Sequence, residues 1–467
     1  MVPYFPKIIA NKGMYLYLGA LAAVSLVFIR HSMGIEFILI GIMWVVGFFK
    51  FSSMASQKWK DIPARTFTRN IFLTALALRI AWAIFSYHFF IAKTGQPFEF
   101  EAADALLYYW WGVGFQHTSL SDMWKALFID VAAVSDSGYA FFLGLVNKVT
   151  GPSILIQRFV LGTLSAFTCV LLYHLAKRNV GEEAGRMASV FACFFPNLIY
   201  YCGLHMKETY MIFIIVAFLE RTDYLIRNKK HMWLNLALSI LTVAIMFTLR
   251  TVLGAVAIFS VASGLIFTNA KIIGKIRRYV LIGWAVLAAT TLAGGVIMTE
   301  IEETWEDRDN NQEQKRTMQV NKGVEWAQYA TTTVMAPMIF VLPFPTMVDV
   351  DRQYNQQIIS GGNFVRNFLG GFVLVALFSA LFVTKNWRNL SLIGSFVVAY
   401  LGIIASSGYA NAERFLLPGV PVLLIMAAYG VSILNAKYYR FIKIWYYVVP
   451  ILAFAWAFFK LGSRGIF

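Results

Sequence analysis

Charge is what this sequence has least of. Only 14% of its 467 residues are Asp, Glu, Lys or Arg, where a soluble domain carries about 25%. Together with 59% hydrophobic residues and a mean hydropathy of +0.64, that shortage excludes one large soluble core and implies a polytopic membrane protein. Cysteine is scarce as well. Cys169, Cys193 and Cys202 all fall in apolar stretches, so no disulfide framework is implied. The six histidines (His31, His88, His117, His174, His205, His231) have no metal-ligand spacing. There is no Gly-rich phosphate loop, no G-x-S-x-G and no H-E-x-x-H, so ATP hydrolysis and zinc proteolysis have no sequence support. The formal charge of +16 does not point to nucleic acid, because cytoplasmic loops of membrane proteins collect Lys and Arg. No small-residue cleavage site comes after the apolar run Gly13 to Ile29, which reads as a retained span.

What the chain does have is apolar spans. A spanning helix needs about 20 mostly apolar residues, and by that measure the expectation is an all-α polytopic bundle of about 13 transmembrane helices. Residues 1–68 hold two N-terminal helices and a cytoplasmic loop, an addition to the core. Residues 69–298 form that core, interrupted by a first outer loop at 93–137. Residues 299–366 form a second outer segment, in which Pro337, Pro343 and Pro345 break an apolar stretch into re-entrant or interfacial pieces. Residues 367–467 supply the C-terminal spans. Within the first outer loop, Ala102 to Gly114 and Ser121 to Val134 have the mixed polarity of amphipathic helices lying on the membrane. Tyr139 to Val149 is too short to cross alone.

The charges assign the sides. Lys58, Lys60, Lys177, Arg178, Lys271, Lys275, Lys385 and Arg388 fall in loops on one side. The acids of the two long loops, from Glu99, Glu101 and Asp104 to Glu302, Glu303 and Asp307, fall on the other. By the positive-inside rule the N-terminus is cytoplasmic and the long loops are outside.

The candidate chemistry sits in the first outer loop. Its acids, including Glu101, Asp104 and Asp136, are interleaved with Tyr108, Tyr109, Trp110 and Trp111. A carboxylate at a membrane surface can act as general base towards an acceptor hydroxyl or amine, and burial near lipid raises its pKa towards a useful range. Short outer turns offer cations towards this loop: Lys207 beside His205 and Glu208, Arg250 alone between two spans, and Arg414 after Glu413. Ionisable groups at membrane depth are costly and default to functional candidates, although snorkelling explains many. Arginine's fork suits phosphate. The combination reads as a carboxylate base with a cationic seat for a lipid-linked phosphate. His205 reads as a polar interface residue. Asp349 and Asp351 form an acidic pair that matches a divalent-cation site only weakly.

The order of these features resembles a family. An acidic outer loop is followed by Gly138-Tyr139, Gln157-Arg158-Phe159, Leu172 to Arg178, Phe195-Pro196-Asn197 with a short charged turn, and a late Glu413-Arg414-Phe415-Leu416-Leu417-Pro418. This is similar to the GT-C superfamily of integral membrane glycosyltransferases, in the branch of the protein mannosyltransferases and lipid A aminoarabinose transferases. The late motif resembles that family's Arg-Tyr-x-x-Pro, with Phe415 in the Tyr place. The resemblance implies a polyprenyl-phosphate-linked sugar donor, inverting transfer on the extracytoplasmic face of a bacterial inner membrane, Asp104 as the first-loop catalytic acid and Arg414 near the carrier phosphate. The acceptor is a glycan, a lipid or a protein. No cofactor is implied, since the carrier phosphate is the leaving group; a divalent metal is compatible but not indicated. Two departures leave the acceptor open: Ala105 comes after Asp104 where mannosyltransferases have Asp-Glu, and Trp110-Trp111-Gly112 lacks the acid of the oligosaccharyltransferase signature. Competing readings are a polymerase or ligase of lipid-linked glycans and, from another class, a lipid or glycan transporter.

Overall fold

A computed structural model describes residues 2–129, 134–228, 230–267, 340–406 and 412–462, with single positions at 279, 282–284, 286–287 and 338. These residues are helical almost throughout, with no strand among them beyond one isolated bridge, Ser32 to Val348. In chain order the helices are α1 (Lys7–Val27), α2 (Ile35–Lys58), α3 (Ala64–Thr94), α4 (Ala103–Gln116), α5 (Leu120–Ile129), α6 (Val134–Thr150), α7 (Ile154–Val180), α8 (Glu182–Phe194), α9 (Pro196–Tyr200), α10 (Glu208–Arg227), α11 (Met232–Leu249) and α12 (Thr251–Phe267). They continue with α13 (Tyr354–Ile358), α14 (Ser360–Phe378), α15 (Ser391–Ser406), α16 (Glu413–Leu416), α17 (Val420–Ser432) and α18 (Ala436–Gly462).

Among the described residues, eight helical stretches are long and apolar enough to cross a bilayer: α1, α2, α3, α7, α11, Ser360–Val383, Glu413–Ser432 and α18. The remaining spans expected from the sequence fall on other pieces. Met187 to Tyr201 is broken into α8 and α9. Thr209 to Leu225 lies in the charged helix α10, while Val252 to Phe267 and Leu390 to Ala405 lie in the shorter helices α12 and α15. Val280 to Met298 and the polar stretch Glu302 to Val324 lie largely or wholly outside the described residues. The second outer segment, expected to run to 366, ends earlier, because α14 starts at Ser360 and carries Asn363, Arg366 and Asn367 buried inside the bundle.

The two N-terminal helices are part of the core and not an outlying addition. Phe5 packs edge-on against Phe191 at 5.2 Å, Phe49 against Phe368 at 4.9 Å and Tyr17 against Phe364 at 5.1 Å. Helices α2 and α14 approach so closely that a Cβ on Gly361 would stand 2.4 Å from the Gly41 carbonyl oxygen. Small residues permit this contact between helices that gain little from apolar burial alone in lipid.

The break between α8 and α9 originates at Pro196. Proline holds the preceding residue extended, and Phe195 has φ −67° and ψ 118°. The carbonyls ahead of the break lose their helical partners, and Arg79, from the middle of α3, supplies replacements. Its Nη2 donates to Ala192 O at 3.1 Å, its Nη1 to Cys193 O at 3.2 Å and its Nε to Ser165 Oγ at 2.7 Å. An arginine with no exposed surface is tolerated here because its donors meet fixed acceptors.

At one end of the bundle, α7 and α10 are tied by charge. Arg178 Nε donates to Asp223 at 2.6 Å and Nη1 to Glu220 at 2.8 Å, and Arg227 Nε reaches Asp223 at 2.7 Å. The loop at 93–137 lies at the other end. It begins where Gly95, in the left-handed region at φ +76°, ends α3. In that loop the chain forms the helices α4 and α5, and Tyr139 to Val149 falls within α6.

Candidate functional site

A cavity of about 420 Å³ opens at the loop end of the bundle. That volume lies within the 300–1,000 Å³ typical of small-molecule sites. Its walls come from three distant parts of the chain: Glu99 to Asp104 in the first loop, Tyr200 to Met206 after the α9 break, and Arg352 to Ile359 with Ala412 to Arg414 from the C-terminal third.

The loop is held in place from several sides. Arg158 of α7 is wholly buried and its Nη2 donates to the Pro97 carbonyl. Asn355 of α13 donates to Phe100 O at 2.7 Å and accepts from the Tyr200 hydroxyl at 3.3 Å. Phe100 packs against Tyr354 at 5.1 Å and Phe90 at 6.0 Å. Lys93 pairs with Glu36 of α2 at 2.8 Å. Helix α13 is braced in turn by Lys460, which donates to Gln353 at 2.8 Å and Gln356 at 3.0 Å.

Asp104, in the first turn of α4, and Arg414, in α16, form an ion pair within this cavity. Two arginines approach the Phe415 ring, the Arg414 guanidinium 5.0 Å from its centre and that of Arg250 at 4.6 Å. Arg250 Nη1 also donates to the Tyr400 hydroxyl at 2.8 Å, and that hydroxyl donates to the Phe415 carbonyl at 2.6 Å. The aromatic ring after Arg414 therefore fixes two cations through its face. Glu413 is buried and accepts from Asn197 Nδ2, which also donates to Asn363 at 3.1 Å.

Asp136, Lys207 and Tyr108 form a second cluster, outside the cavity lining. Lys207 pairs with Asp136 and donates to Leu249 O at 2.9 Å, while the Tyr108 hydroxyl donates to Asp136 at 2.8 Å. Burial alone would raise the Asp136 pKa, but Lys207 and the Tyr108 hydroxyl outweigh it and hold the carboxyl below its usual value. Burial lowers the Lys207 ammonium, opposed by Asp136. Glu208 is buried with Oε2 unpartnered and lies within electrostatic reach of Lys207, Arg414 and Glu99, bridging the two clusters.

The candidate residues thus divide. Asp104, Glu101, Glu413 and Arg414 line the cavity, whereas Lys207, Arg250, Asp136, Glu208, Tyr108 and His205 do not. Lys207 and Arg250, expected to seat phosphate, have protein partners outside it. His205 is fully buried among the rings of Phe98, Tyr109 and Tyr139, both ring nitrogens unpartnered. Burial lowers its pKa to about 3, so it is a neutral imidazole. Asp349 accepts from Gln357 at 3.1 Å, and no group of three or more His, Cys, Asp or Glu among the described residues could hold a metal ion.

Arg352 was not anticipated from the sequence. It is exposed on the cavity wall with φ +58°, a left-handed conformation that is uncommon for a non-glycine residue and concentrates at functional sites. Neither a protein-family model nor a curated protein matches the chain.

Proposed function

We propose that this protein is an integral membrane glycosyltransferase that moves a sugar from a polyprenyl-phosphate carrier to a glycan, lipid or protein acceptor, with inversion at the anomeric carbon. The observation that carries this reading is the meeting of Asp104 and Arg414 in one cavity at the loop end of an apolar helical bundle. A lipid-linked donor brings its own leaving group, so the protein needs a cationic seat for phosphate, a carboxylate to take the acceptor's proton, and room for one sugar. Arg414 and Arg352 are the seat, where a planar fork matches phosphate oxygens. Their positive charge stabilises the phosphate as it leaves. The carboxylates Glu99, Glu101, Asp104 and Glu413 line the same cavity. The charge asymmetry of the loops supports an extracytoplasmic site, in a bacterial inner membrane facing the periplasm.

The test is transfer from a panel of radiolabelled polyprenyl-phosphate sugars by purified protein in detergent, with Arg414→Ala and an EDTA arm beside the wild type. The expected result is release of carrier phosphate that depends on Arg414; the EDTA arm decides metal dependence. Transfer of whole glycans but of no single sugar would instead make the protein a ligase or polymerase. Movement of intact carrier across a vesicle membrane without transfer would make it a transporter.

A further inference from the structure

Two carboxylates of the cavity have very different surroundings. Asp104 is committed to an ion pair with Arg414, which is also the arginine best placed for the carrier phosphate. That carboxylate is therefore already engaged as the acceptor for the guanidinium. Glu99 is the contrast. It is 6% exposed, lines the cavity, and its Oε2 has no hydrogen-bond partner. Buried polar atoms without partners are rare and call for an explanation.

Resting on the transferase reading above, we infer that Glu99 is the general base, and that Asp104 acts as a positioning residue for Arg414. In the step, the Glu99 carboxylate takes the proton of the acceptor O–H or N–H, and that heteroatom forms its bond to the anomeric carbon. The bond from that carbon to the phosphate oxygen breaks, and the phosphate leaves with the electron pair towards Arg414. Glu99 then gives its proton to water at the cavity mouth.

The surroundings of Glu99 suit the task. Burial raises its pKa to about 7, with Glu208 and Asp104 contributing to the rise and a backbone hydrogen bond and the charge of Arg158 opposing it. Tyr139 and Tyr200 lie within its electrostatic reach, and Glu101, Tyr201, Arg352, Tyr354, Glu413 and Arg414 are the other ionisable groups on the wall of its cavity. A base poised near neutrality is the most effective at the pH of a living cell. Arg158 keeps two donors, Nε and Nη1, unpartnered beside the loop it anchors. It therefore favours the ionised form of Glu99 through its charge, while its own hydrogen bond goes to the Pro97 carbonyl.

The experiment compares wild type, Glu99→Gln, Glu99→Asp and Asp104→Asn for pH dependence of single-sugar transfer, with donor binding measured separately. Glu99→Gln is expected to lower kcat by about 10²- to 10⁴-fold, the usual contribution of a positioned base, with donor Kd unchanged. The wild-type rate should rise through pH 7, a limb lost in Glu99→Gln, moved in Glu99→Asp and kept in Asp104→Asn. Full turnover in Glu99→Gln, or loss of the limb in Asp104→Asn alone, overturns the assignment and leaves the transferase reading standing. If Glu99→Gln does not fold, an unmoved limb in Glu99→Asp overturns it equally. Absence of transfer by wild type from every donor overturns both.

Discussion

Asp104 and Arg414 are 310 residues apart in the chain and form one ion pair at the wall of the cavity. Their side chains are 43% and 38% exposed, so solvent screens the pair. A double-mutant cycle on thermal stability should give a coupling below about 1 kcal/mol, as for other surface pairs. Donor affinity should respond differently. Arg414→Ala removes a charged hydrogen bond to phosphate, worth about 1.5–3 kcal/mol, and should weaken donor binding by roughly 10- to 100-fold. Equal donor Kd in wild type and Arg414→Ala removes this residue from the site.

Glu99 should also leave a mark on stability. Its pKa is about 7 in the folded protein against an ordinary value of 4.5. Between those values the folded state holds a proton that the unfolded chain has released. Stability therefore falls as pH rises from about 4.5 to about 7, and this component is flat above that. In Glu99→Gln this slope should disappear. Thermal melts of both proteins in detergent across that range measure it; identical slopes would show that Glu99 does not titrate there.

The Asp136–Lys207 pair should break asymmetrically. The Lys207 side chain is 11% exposed, whereas that of Asp136 is 43% exposed. Asp136→Asn leaves a buried ammonium without its counter-charge, and Lys207→Met leaves a carboxylate that water can reach. The first should cost more stability than the second, by about 1–2 kcal/mol. Equal melting temperatures for the two variants would contradict the burial difference.

The contact between α2 and α14 should tolerate no added methyl group. Gly361→Ala sets a carbon 2.4 Å from the Gly41 carbonyl and should cost about 1–3 kcal/mol, the usual penalty of overpacking. Gly394→Ala, inside α15, meets nothing within 4 Å and serves as the unhindered control in the same melts, with the gain of up to about 1 kcal/mol that alanine brings to a helix interior.

Helical class and most long spans were legible because lipid demands long apolar stretches, and α1, α2, α3, α7 and α11 announce themselves by composition. The charged helix α10 is ambiguous by composition, since burial of Glu220 and Asp223 against Arg178 is a tertiary fact. The start of α14 was hidden because Asn363, Arg366 and Asn367 look like loop residues until the fold surrounds them. At the site, Asp104 and Arg414 stood out as ions beside apolar runs. Glu99 carries the same signal as Glu101, and only the fold buries one and exposes the other. Arg352 was hidden because its significance lies in a backbone angle. Lys207 and Arg250 were grouped with Arg414 by sign of charge, a property that says nothing of which partners each would find.

Arg79 also bears on biosynthesis. It is synthesised 113 and 114 residues before the two carbonyls it holds at the α8 break. Until those arrive, the charge at the centre of α3 lacks two of the acceptors that offset it in the folded protein, against a burden of about 2.5–3.5 kcal/mol for a central arginine on insertion scales. A nascent chain ending after Gly181 should therefore insert α3 less efficiently than one ending after Gly203, as a glycosylation-mapping assay would report; equal insertion would show that α3 settles unaided. On this geometry the third helix becomes a stable resident of the bilayer only when the eighth joins it, so the ribosome's progress sets the order of assembly.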